Sequence, residues 1–317
     1  MSGSTKNPVG VLVMSYGTPE SMEGIEAYYT HIRRGHPPTA EQLEDLTERY
    51  RTIVGGVFPL RENTNRQAAA LQRTLDEVAG VGEYVCYQGL KHAAPFIEDG
   101  IAAMAADGIR EAIGIVLTPQ YSAMSVGGYL KRAQDEADKH GISFKGVKEY
   151  HLHSELIDAL SKRVSEGLNK FGDGRAETLV LFSAHSLPAK ILEMNDPYAD
   201  QLLATSAAIA QAAGVDKWQF TWQSAGQTGQ PWLGPDILET LEKLGAEGVR
   251  SVLVAPVGFV SDHLEVLYDI DIEAKKFAEE HGIRLERIRM LNDDAQYLAA
   301  MADTVIGLAV GRKSDES

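Results

Sequence analysis

Short, nearly continuous apolar runs alternate along the chain with longer segments of helical period. The apolar runs occupy residues 9–14, 83–87, 112–117, 178–182, 218–222 and 251–255. Near-continuous apolarity, rather than strict alternation, is typical of strands that are covered on both faces of a parallel sheet. The pattern therefore predicts buried parallel strands at these positions.

Amphipathic helices are predicted between these strands, because apolar residues recur there every three to four positions. They span residues 66–79, 96–107, 126–140, 156–171, 200–213 and 236–244, with a last helix at 292–312. The strand–helix alternation favours parallel sheets with right-handed crossovers. It occurs twice, on either side of a polar connection at 149–155. We therefore predict an α/β protein of two doubly wound lobes, residues 1–150 and 151–291, with a cleft between them and the last helix packing back on the first lobe.

Composition and charge narrow the class of protein. The 317 residues carry a formal net charge of −15, which argues against nucleic-acid binding because such a surface repels phosphates. The single cysteine, Cys86, excludes an internal disulfide, a four-cysteine zinc site and a cysteine-ligated iron–sulfur cluster. Residues 1–8 lack the apolar stretch of a signal peptide, and the longest apolar runs are far shorter than the ~20 residues that cross a bilayer. We therefore expect a soluble cytoplasmic protein.

A histidine follows the predicted strand at 178–182. His185 lies where the loops at the carboxyl ends of parallel strands carry functional groups. An ordinary imidazole pKa of about 6.5 suits proton acceptance near neutral pH. The alternative interpretation is a loop histidine that caps a turn.

Acidic residues recur at every fourth position after the strand at 251–255. A helix that begins near Ser261 places Glu265, Asp269 and Glu273 in one stripe. Like charges at this spacing cost roughly 0.2–0.5 kcal/mol per pair, so either solvent or a bound cation must offset the repulsion. The buried side of this helix is predicted to contain Leu264, Leu267, Ala274 and Phe277. Carboxylates with an imidazole suit a borderline divalent metal, but no His-Glu-x-x-His pair is present, so we expect a metal in transit rather than a resident one.

Three other places carry residues of interest, each with an alternative interpretation. Tyr16 ends the first predicted strand as either a packing residue or an oxygen ligand for a metal. Arg33 and Arg34 suit carboxylate recognition or a surface ion-pair network. Trp222 and Trp232 could border a flat aromatic ligand, or belong to the core.

Seven motifs together resemble the ferrochelatase family, and within it the soluble bacterial coproporphyrin branch. The motifs are Met14-Ser-Tyr-Gly-Thr-Pro19, Tyr28-Tyr29 with Ile32-Arg-Arg34, Gly89-Leu-Lys-His92, Ser183-Ala-His-Ser-Leu-Pro188, Trp222-Gln-Ser224, Gly229-Gln-Pro-Trp-Leu-Gly-Pro-Asp236 and Pro256-Val-Gly-Phe-Val-Ser-Asp-His-Leu-Glu-Val-Leu-Tyr-Asp269. The resemblance extends over residues 9–302. It implies two Rossmann-like lobes with four-stranded parallel sheets and a central porphyrin cleft.

The resemblance also implies an activity. The expected reaction inserts Fe²⁺ into a porphyrin, coproporphyrin III in preference, with release of two protons, in haem biosynthesis. Fe²⁺ is then a substrate, and neither a resident cofactor nor an iron–sulfur cluster is expected. The alternatives are protoporphyrin IX as the main substrate, a cobalt or nickel chelatase of sirohydrochlorin-type rings, and a haem or porphyrin carrier. Because a carrier needs no proton acceptor, the presence of both His185 and Glu265 argues against the last alternative.

Site residues are implied by matching the family motifs. His185 and Glu265 are implied as the catalytic, metal-binding pair. Porphyrin contacts are implied for Tyr16, Arg33, Arg49 and Tyr129. An outer site for Fe²⁺ or Mg²⁺ is implied at Asp269 and Glu273, with Arg49 nearby.

The chain departs from the bacterial family pattern after Gly55 and Gly56. Residues 55–57, Gly-Gly-Val, are followed by Phe58 where the bacterial pattern often has a serine, which places one propionate hydrogen bond in doubt. The membrane-binding lip of eukaryotic relatives lacks a clear counterpart, so no integral membrane contact is expected. We expect a monomer that binds porphyrin and Fe²⁺ and passes its product to another enzyme of the haem pathway.

Overall fold

The computed structural model describes residues 7–54, 58–226 and 229–310. Contacts divide the chain into two compact units, Met1–Tyr150 with Asp293–Ser317, and His151–Asn292. Each unit contains one four-stranded parallel sheet with flanking helices. The predicted α/β class with two four-stranded parallel sheets is therefore confirmed.

Four parallel strands form the sheet of each unit. The strands are β1 Val9–Ser15, β2 Tyr84–Leu90, β3 Glu111–Val116, β4 Ser143–Gly146, β5 Leu179–His185, β6 Trp218–Gln223, β7 Ser251–Ala255 and β8 Arg284–Arg287. The strand order is β2-β1-β3-β4 in the first unit and β6-β5-β7-β8 in the second. In both units the first strand lies inside the sheet, and its apolar residues are buried except the first one, Val9 or Leu179, which is half-buried. The loops that follow β1 and β5 therefore start at the carboxyl edge of a sheet.

Helices cover both sheets. They are α1 Ile25–Ile32, α2 Ala40–Val54, α3 Pro59–Ala79, α4 Ile97–Ala106, α5 Val126–His140, α6 Ser154–Asn169, α7 Tyr198–Ala213, α8 Ile237–Ala246, α9 Leu264–Leu267, α10 Lys275–Glu280 and α11 Ala295–Val310. A π-helical segment, Asp269–Ala274, joins α9 to α10. Helix α11 packs against α3 and β3 within the first unit. Its buried Tyr297 donates a hydrogen bond to the carbonyl of Leu117 at 2.6 Å.

The strands that sequence analysis did not identify are the last one of each sheet. Strands β4 and β8 contain four residues each and lie at a sheet edge, where only one neighbour pairs with them. Phe144 and Leu285 are their buried apolar side chains, among polar or half-buried neighbours. A pattern this short does not reach the length at which hydrophobic periodicity identifies a strand.

Among the helices predicted between the strands and at the end of the chain, the largest differences from the observed boundaries are at the starts of α3 and α11. Helix α3 begins at Pro59 rather than at residue 66, and proline favours the first turn because its missing N–H has no partner to lose there. Helix α11 begins at Ala295 rather than at 292, because Asn292 has a left-handed φ of 48° and Asp294 accepts a hydrogen bond from the N–H of Gln296 at 2.9 Å. Residues 311–312 of the predicted helix lie outside the described residues. Across the described ranges, none of the helices combines the length and the apolarity that a membrane span requires.

Candidate chelation site and cationic cavity

His185 is the last residue of β5 and lies at the carboxyl edge of the second sheet. Its Nδ1 is hydrogen-bonded to the carbonyl oxygen of Ser186. Because a carbonyl oxygen can only accept, Nδ1 carries the proton, and Nε2 faces the site. The Tyr198 hydroxyl donates to the backbone carbonyl of His185 at 3.1 Å, which anchors the end of the strand.

Glu265 lies between two imidazole rings. Its Oε1 is 3.6 Å from Nε2 of His185, and its Oε2 is 3.6 Å from Nε2 of His263. His263 also donates from Nδ1 to a backbone carbonyl, that of Ser261, at 2.9 Å. Both rings are therefore held with Nε2 directed at one carboxylate. Sequence analysis had singled out His185 and Glu265 but not His263.

The charges of this cluster reinforce one another. Burial lowers the pKa of His185, but the negative charge of Glu265 and its hydrogen bond outweigh burial and raise that pKa to about 9. Burial would raise the pKa of Glu265, but His185 and then His263 lower it well below its ordinary value. At neutral pH the resting pair is therefore a carboxylate beside a protonated His185. This differs from the neutral imidazole that an ordinary pKa of about 6.5 suggested, because the sequence does not reveal how strongly the carboxylate acts.

The acidic stripe does not lie on one regular helix. Helix α9 begins at Leu264 rather than near Ser261, and the π-helical segment follows it, with the N–H of Glu273 donating to the carbonyl of Tyr268 at 2.9 Å. The buried apolar residues of α9, the π-helical segment and α10 are Val266, Ile270, Ala274 and Ala278. Of the predicted buried set, Ala274 is buried, Phe277 is half-buried and packs against the same core, and Leu264 and Leu267 are only half-buried. The predicted positions were displaced because the π-helical turn changes the helical period.

Asp269 and Glu273 have different environments. Asp269 is buried and accepts a hydrogen bond from the Ser224 hydroxyl at 2.5 Å, and its charge contributes to the raised pKa of His185. Ser224 has a left-handed φ of 59°, a conformation that is uncommon outside glycine and that often marks functional loops. Glu273 is exposed, four residues further along the π-helical segment. In the described part of the chain, no group of three or more His, Cys, Asp or Glu side chains is arranged to hold a metal ion.

The two tryptophans considered as ligand borders have separate roles in the second unit. Trp222 is buried in the core and packs against Phe220 and Tyr198, with ring centroids 5.0 and 5.9 Å away. Trp232 is half-buried, and its ring centroid lies 6.3 Å from that of His185. Trp232 therefore borders the histidine–glutamate cluster, whereas Trp222 supports the sheet.

A cavity of about 540 Å³ lies in the first unit, beside the end of β1. Its polar lining comprises Tyr16, His31, Arg34, Lys91, His92 and Arg132. Arg132 forms a bidentate ion pair with Glu98, at 2.6 and 2.8 Å, and donates to the carbonyl of Lys91 at 2.9 Å. Burial, then Arg132 and Arg34, lower the pKa of Lys91. The crowding of positive charge gives this cavity the chemistry of an anion site, in a protein whose net charge is strongly negative.

Two histidines of this cavity contact each other. Nδ1 of His31 lies 3.0 Å from Nδ1 of His92, and the Tyr16 ring centroid is 4.6 Å from that of His92. Burial, and then the charge of Lys91, lower the pKa of His92 to about 3. His92 is therefore neutral, and one proton between the two Nδ1 atoms completes the hydrogen bond.

Of the residues expected to contact porphyrin, Tyr16 alone lines this cavity. Arg33 donates from Nε to the carbonyl of His36 at 3.2 Å, and Arg49 forms an ion pair with Asp45 at 3.1 Å. Tyr129 is buried in the first core, where burial raises its pKa. Residues 55–57 lie outside the described residues, whereas Phe58, which stands where the bacterial pattern often has a serine, is buried with its ring centroid 4.9 Å from that of Tyr50.

Sequence analysis missed most of the cationic cavity. It noted the Gly89–His92 motif as part of the resemblance but assigned Lys91 and His92 no role. The family resemblance implied a porphyrin contact for Arg33, whereas the adjacent Arg34 lines the cavity. Nothing in the sequence distinguished Arg132, because a single arginine on an amphipathic helix is ordinary. A signal for His263 was present, since it precedes Glu265 by two residues within a motif that was already quoted.

Solved structures of similar fold include one described as a sirohydrochlorin chelatase and one described as an enzyme of siroheme biosynthesis. SirB of Bacillus subtilis subspecies spizizenii, in complex with cobalt, has a TM-score of 0.59 and 12% identity, with 97% of each chain covered. CbiX, described as the terminal enzyme for biosynthesis of siroheme in denitrifying bacteria, has a TM-score of 0.54 and 10% identity, with 95% of this chain and 98% of that chain covered. The two parallel sheets thus define a chelatase-like fold.

Sequence comparisons identify the family. The ferrochelatase family model matches residues 8–307. Coproporphyrin III ferrochelatase 1 of Bacillus cereus is 46% identical over 304 residues, covering 95% of this chain and 97% of the relative. Ferrochelatase of Herpetosiphon aurantiacus is 45% identical over 301 residues, covering 94% and 98%. The chain belongs to the ferrochelatase family, which confirms the resemblance drawn from its motifs.

Proposed function

We propose that this protein inserts Fe²⁺ into coproporphyrin III in haem biosynthesis, giving coproheme and two protons. The observation that carries the proposal is the position of Glu265 between the Nε2 atoms of His185 and His263, in a chain of the ferrochelatase family. Relatives named coproporphyrin III ferrochelatase, at 44–46% identity, support this choice of porphyrin.

The cluster can exchange a metal ion for protons. Metal ligands must be deprotonated, so an arriving Fe²⁺ displaces the proton that His185 shares with Glu265. When Fe²⁺ leaves for the porphyrin nitrogens, the vacated Nε2 of His185 accepts one pyrrole proton. Nε2 of His263, at the same carboxylate, is placed to accept the second, and Glu265 remains ionised between the two rings. His185 and Glu265 hold the ion weakly enough to release it, because two side chains leave most coordination positions to water or substrate.

The cationic cavity supports a carboxylate-rich substrate. Arg34 and Lys91 place positive charge at its wall, and arginine matches the geometry of a carboxylate. Coproporphyrin III carries more carboxylates than protoporphyrin IX, so the same charges favour it. Among the residues carried over from the family, Tyr16 contributes to this wall, and we include Arg33, Arg49 and Tyr129 in the proposed porphyrin contacts.

We further propose an outer site for iron at Asp269 and Glu273, occupied by Fe²⁺ in transit or by Mg²⁺. The exposed Glu273 would receive a hydrated ion, and the buried Asp269 would bring it towards His185. No resident cofactor is part of this proposal. We propose that the protein acts in the cytoplasm as a monomer without integral membrane contact, and passes its product to another enzyme of the haem pathway.

The direct test is an anaerobic assay with Fe²⁺ and either coproporphyrin III or protoporphyrin IX, following the loss of porphyrin fluorescence. We expect faster turnover with coproporphyrin III. Turnover with neither, together with tight binding of the iron porphyrin, would instead indicate a carrier. Insertion of Co²⁺ or Ni²⁺ into sirohydrochlorin, without activity on either porphyrin, would indicate the other chelatase class.

A further inference from the structure

Arg287 ends β8 and forms ion pairs with two aspartates in the second unit. Its side chain is 13% exposed. Nε lies 2.7 Å from Oδ1 of Asp271, and a terminal nitrogen lies 2.8 Å from Oδ2 of the same residue. The bidentate geometry fixes the orientation of both groups, as parallel arginine–carboxylate pairs do.

The same guanidinium also reaches Asp262, whose Oδ1 lies 3.1 Å from a terminal nitrogen of Arg287. Asp262 is itself tied to Asn292 in both directions. Its N–H donates to Oδ1 of Asn292 at 2.9 Å, and Nδ2 of Asn292 donates to Oδ2 of Asp262 at 2.8 Å. The N–H of Asn292 donates to the carbonyl of Val260 at 2.8 Å, so the backbone entering the site is held as well.

The two aspartates lie on opposite sides of Glu265 in the sequence. Asp262 immediately precedes His263 in the segment that leads into α9, and Asp271 lies in the π-helical segment two residues after Asp269. Helix α9, the π-helical segment and α10 follow one another over residues 264–280, and the π-helical turn interrupts the regular i→i−4 hydrogen bonding, so its register is not set by helix propensity alone. Tertiary contacts must therefore fix the direction of this part of the chain.

We propose that Arg287 is a positioning residue for iron handling, because one guanidinium fixes both the segment carrying His263 and the π-helical segment carrying Asp269. The inference rests on the proposed function of the histidine–glutamate cluster. Arg287 does not touch iron or porphyrin in this role. It sets the distance between Asp269, which delivers Fe²⁺, and the cluster of His185, Glu265 and His263, which receives it. Lysine cannot replace it, since an ammonium group lacks the planar fork that binds two carboxylates at once.

The test compares Arg287→Lys with Arg289→Lys. Arg289 pairs with Glu166 at 2.8 Å in an exposed position, so its replacement also removes an arginine ion pair in this part of the chain. We expect Arg287→Lys to raise the KM for Fe²⁺ about fivefold or more, with the Kd for porphyrin unchanged, and Arg289→Lys to change neither. An unchanged KM for Fe²⁺ in Arg287→Lys would overturn the proposal. The proposal would also be overturned if Arg287→Lys lowered the melting temperature and kcat together but left the KM for Fe²⁺ and the KM for porphyrin unchanged. That result would indicate only a structural role.

A second measurement separates this inference from the proposed function. The NMR signals of the imidazole rings report the environment of His185 and His263 without any turnover. We expect Arg287→Lys to shift the signals of His263 and His185, whereas Arg289→Lys leaves them unchanged. If the wild-type protein inserts no iron, the proposed function fails, yet the NMR comparison still decides whether Arg287 positions the cluster. If Arg287→Lys does not fold, Asp271→Asn takes its place, because it removes the charge of the bidentate partner while keeping a side chain of similar shape. We expect Asp271→Asn to give the same NMR shifts and the same rise in the KM for Fe²⁺.

Discussion

Nε2 of His185 and Oε1 of Glu265 lie 3.6 Å apart, although the two residues belong to different elements, the end of β5 and the four-residue helix α9. Strand β5 pairs with β6 through His185, which lies opposite Gln223, and with β7 as far as Phe182, so the position of His185 is set by the sheet. The position of Glu265 is set by the contacts that the segment around α9 makes with the rest of the second unit. The pair therefore joins a rigid sheet edge to a chain segment that depends on its surroundings.

Replacing His185 by alanine tests the catalytic assignment. We expect Fe²⁺ insertion to fall by about 100-fold or more, because general acid–base groups contribute on this scale. Porphyrin binding should persist, since the proposed carboxylate contacts lie in the first unit. Both are measured by porphyrin fluorescence under anaerobic conditions. His281→Ala is the matched control, because His281 stacks on Phe277 with ring centroids 4.1 Å apart. An active His185→Ala would remove the assignment.

The pH dependence of stability tests the charge pair. The folded pKa of His185 is raised from 6.5 to about 9, so its stabilising contribution is complete below pH 6.5 and is lost as the pH rises through 9. The loss of melting temperature caused by Glu265→Gln should therefore be large at neutral pH and shrink towards pH 9. Thermal unfolding of both proteins across this range measures the difference. A difference that stays constant with pH would show that the pair is not ionised as described.

The outer acidic site is tested by Glu273→Gln. This exposed carboxylate is proposed to meet hydrated Fe²⁺, so its loss should raise the KM for Fe²⁺ several-fold and leave kcat nearly unchanged. Asp269→Asn should raise the KM for Fe²⁺ more than Glu273→Gln does, because Asp269 is buried and accepts a hydrogen bond from Ser224. Steady-state assays at varied Fe²⁺ measure both effects. If Glu273→Gln has the iron dependence of the wild type, this residue has no part in delivery.

The cationic cavity is tested by Lys91→Gln and Arg34→Gln. Each substitution removes one positive charge that faces the proposed carboxylates, and we expect the Kd for coproporphyrin III to rise about three- to tenfold, with a smaller rise for protoporphyrin IX. Lys139→Gln, which loses only an exposed ion pair with Glu136 at 2.7 Å, should change neither. Fluorescence titrations at low and high salt measure these affinities. Equal effects on both porphyrins would argue against a role in selectivity.

The sequence by itself determined the architecture and the central pair of residues. Apolar runs long enough to span a strand identified the inner strands, such as β1 and β5, because a strand covered on both faces is apolar along most of its length, and they also identified the longer edge strands β2 and β6. The edge strands β4 and β8 were not predicted, because each has four residues of which only one is buried, and this makes no hydrophobic pattern. His185 and Glu265 could be named because each belongs to a short motif that resembles a known family.

The tertiary structure alone decided which charges meet. Arg34, Lys91 and Arg132 come from distant parts of the first unit, and the bidentate pair of Arg287 with Asp271 joins a strand edge to a π-helical segment. Periodicity reports whether a residue faces the core, but not which side chain it meets there. Such pairings, and the pKa shifts that follow from them, depend on strand order and helix register, because electrostatic interactions depend on distances between residues far apart in the chain.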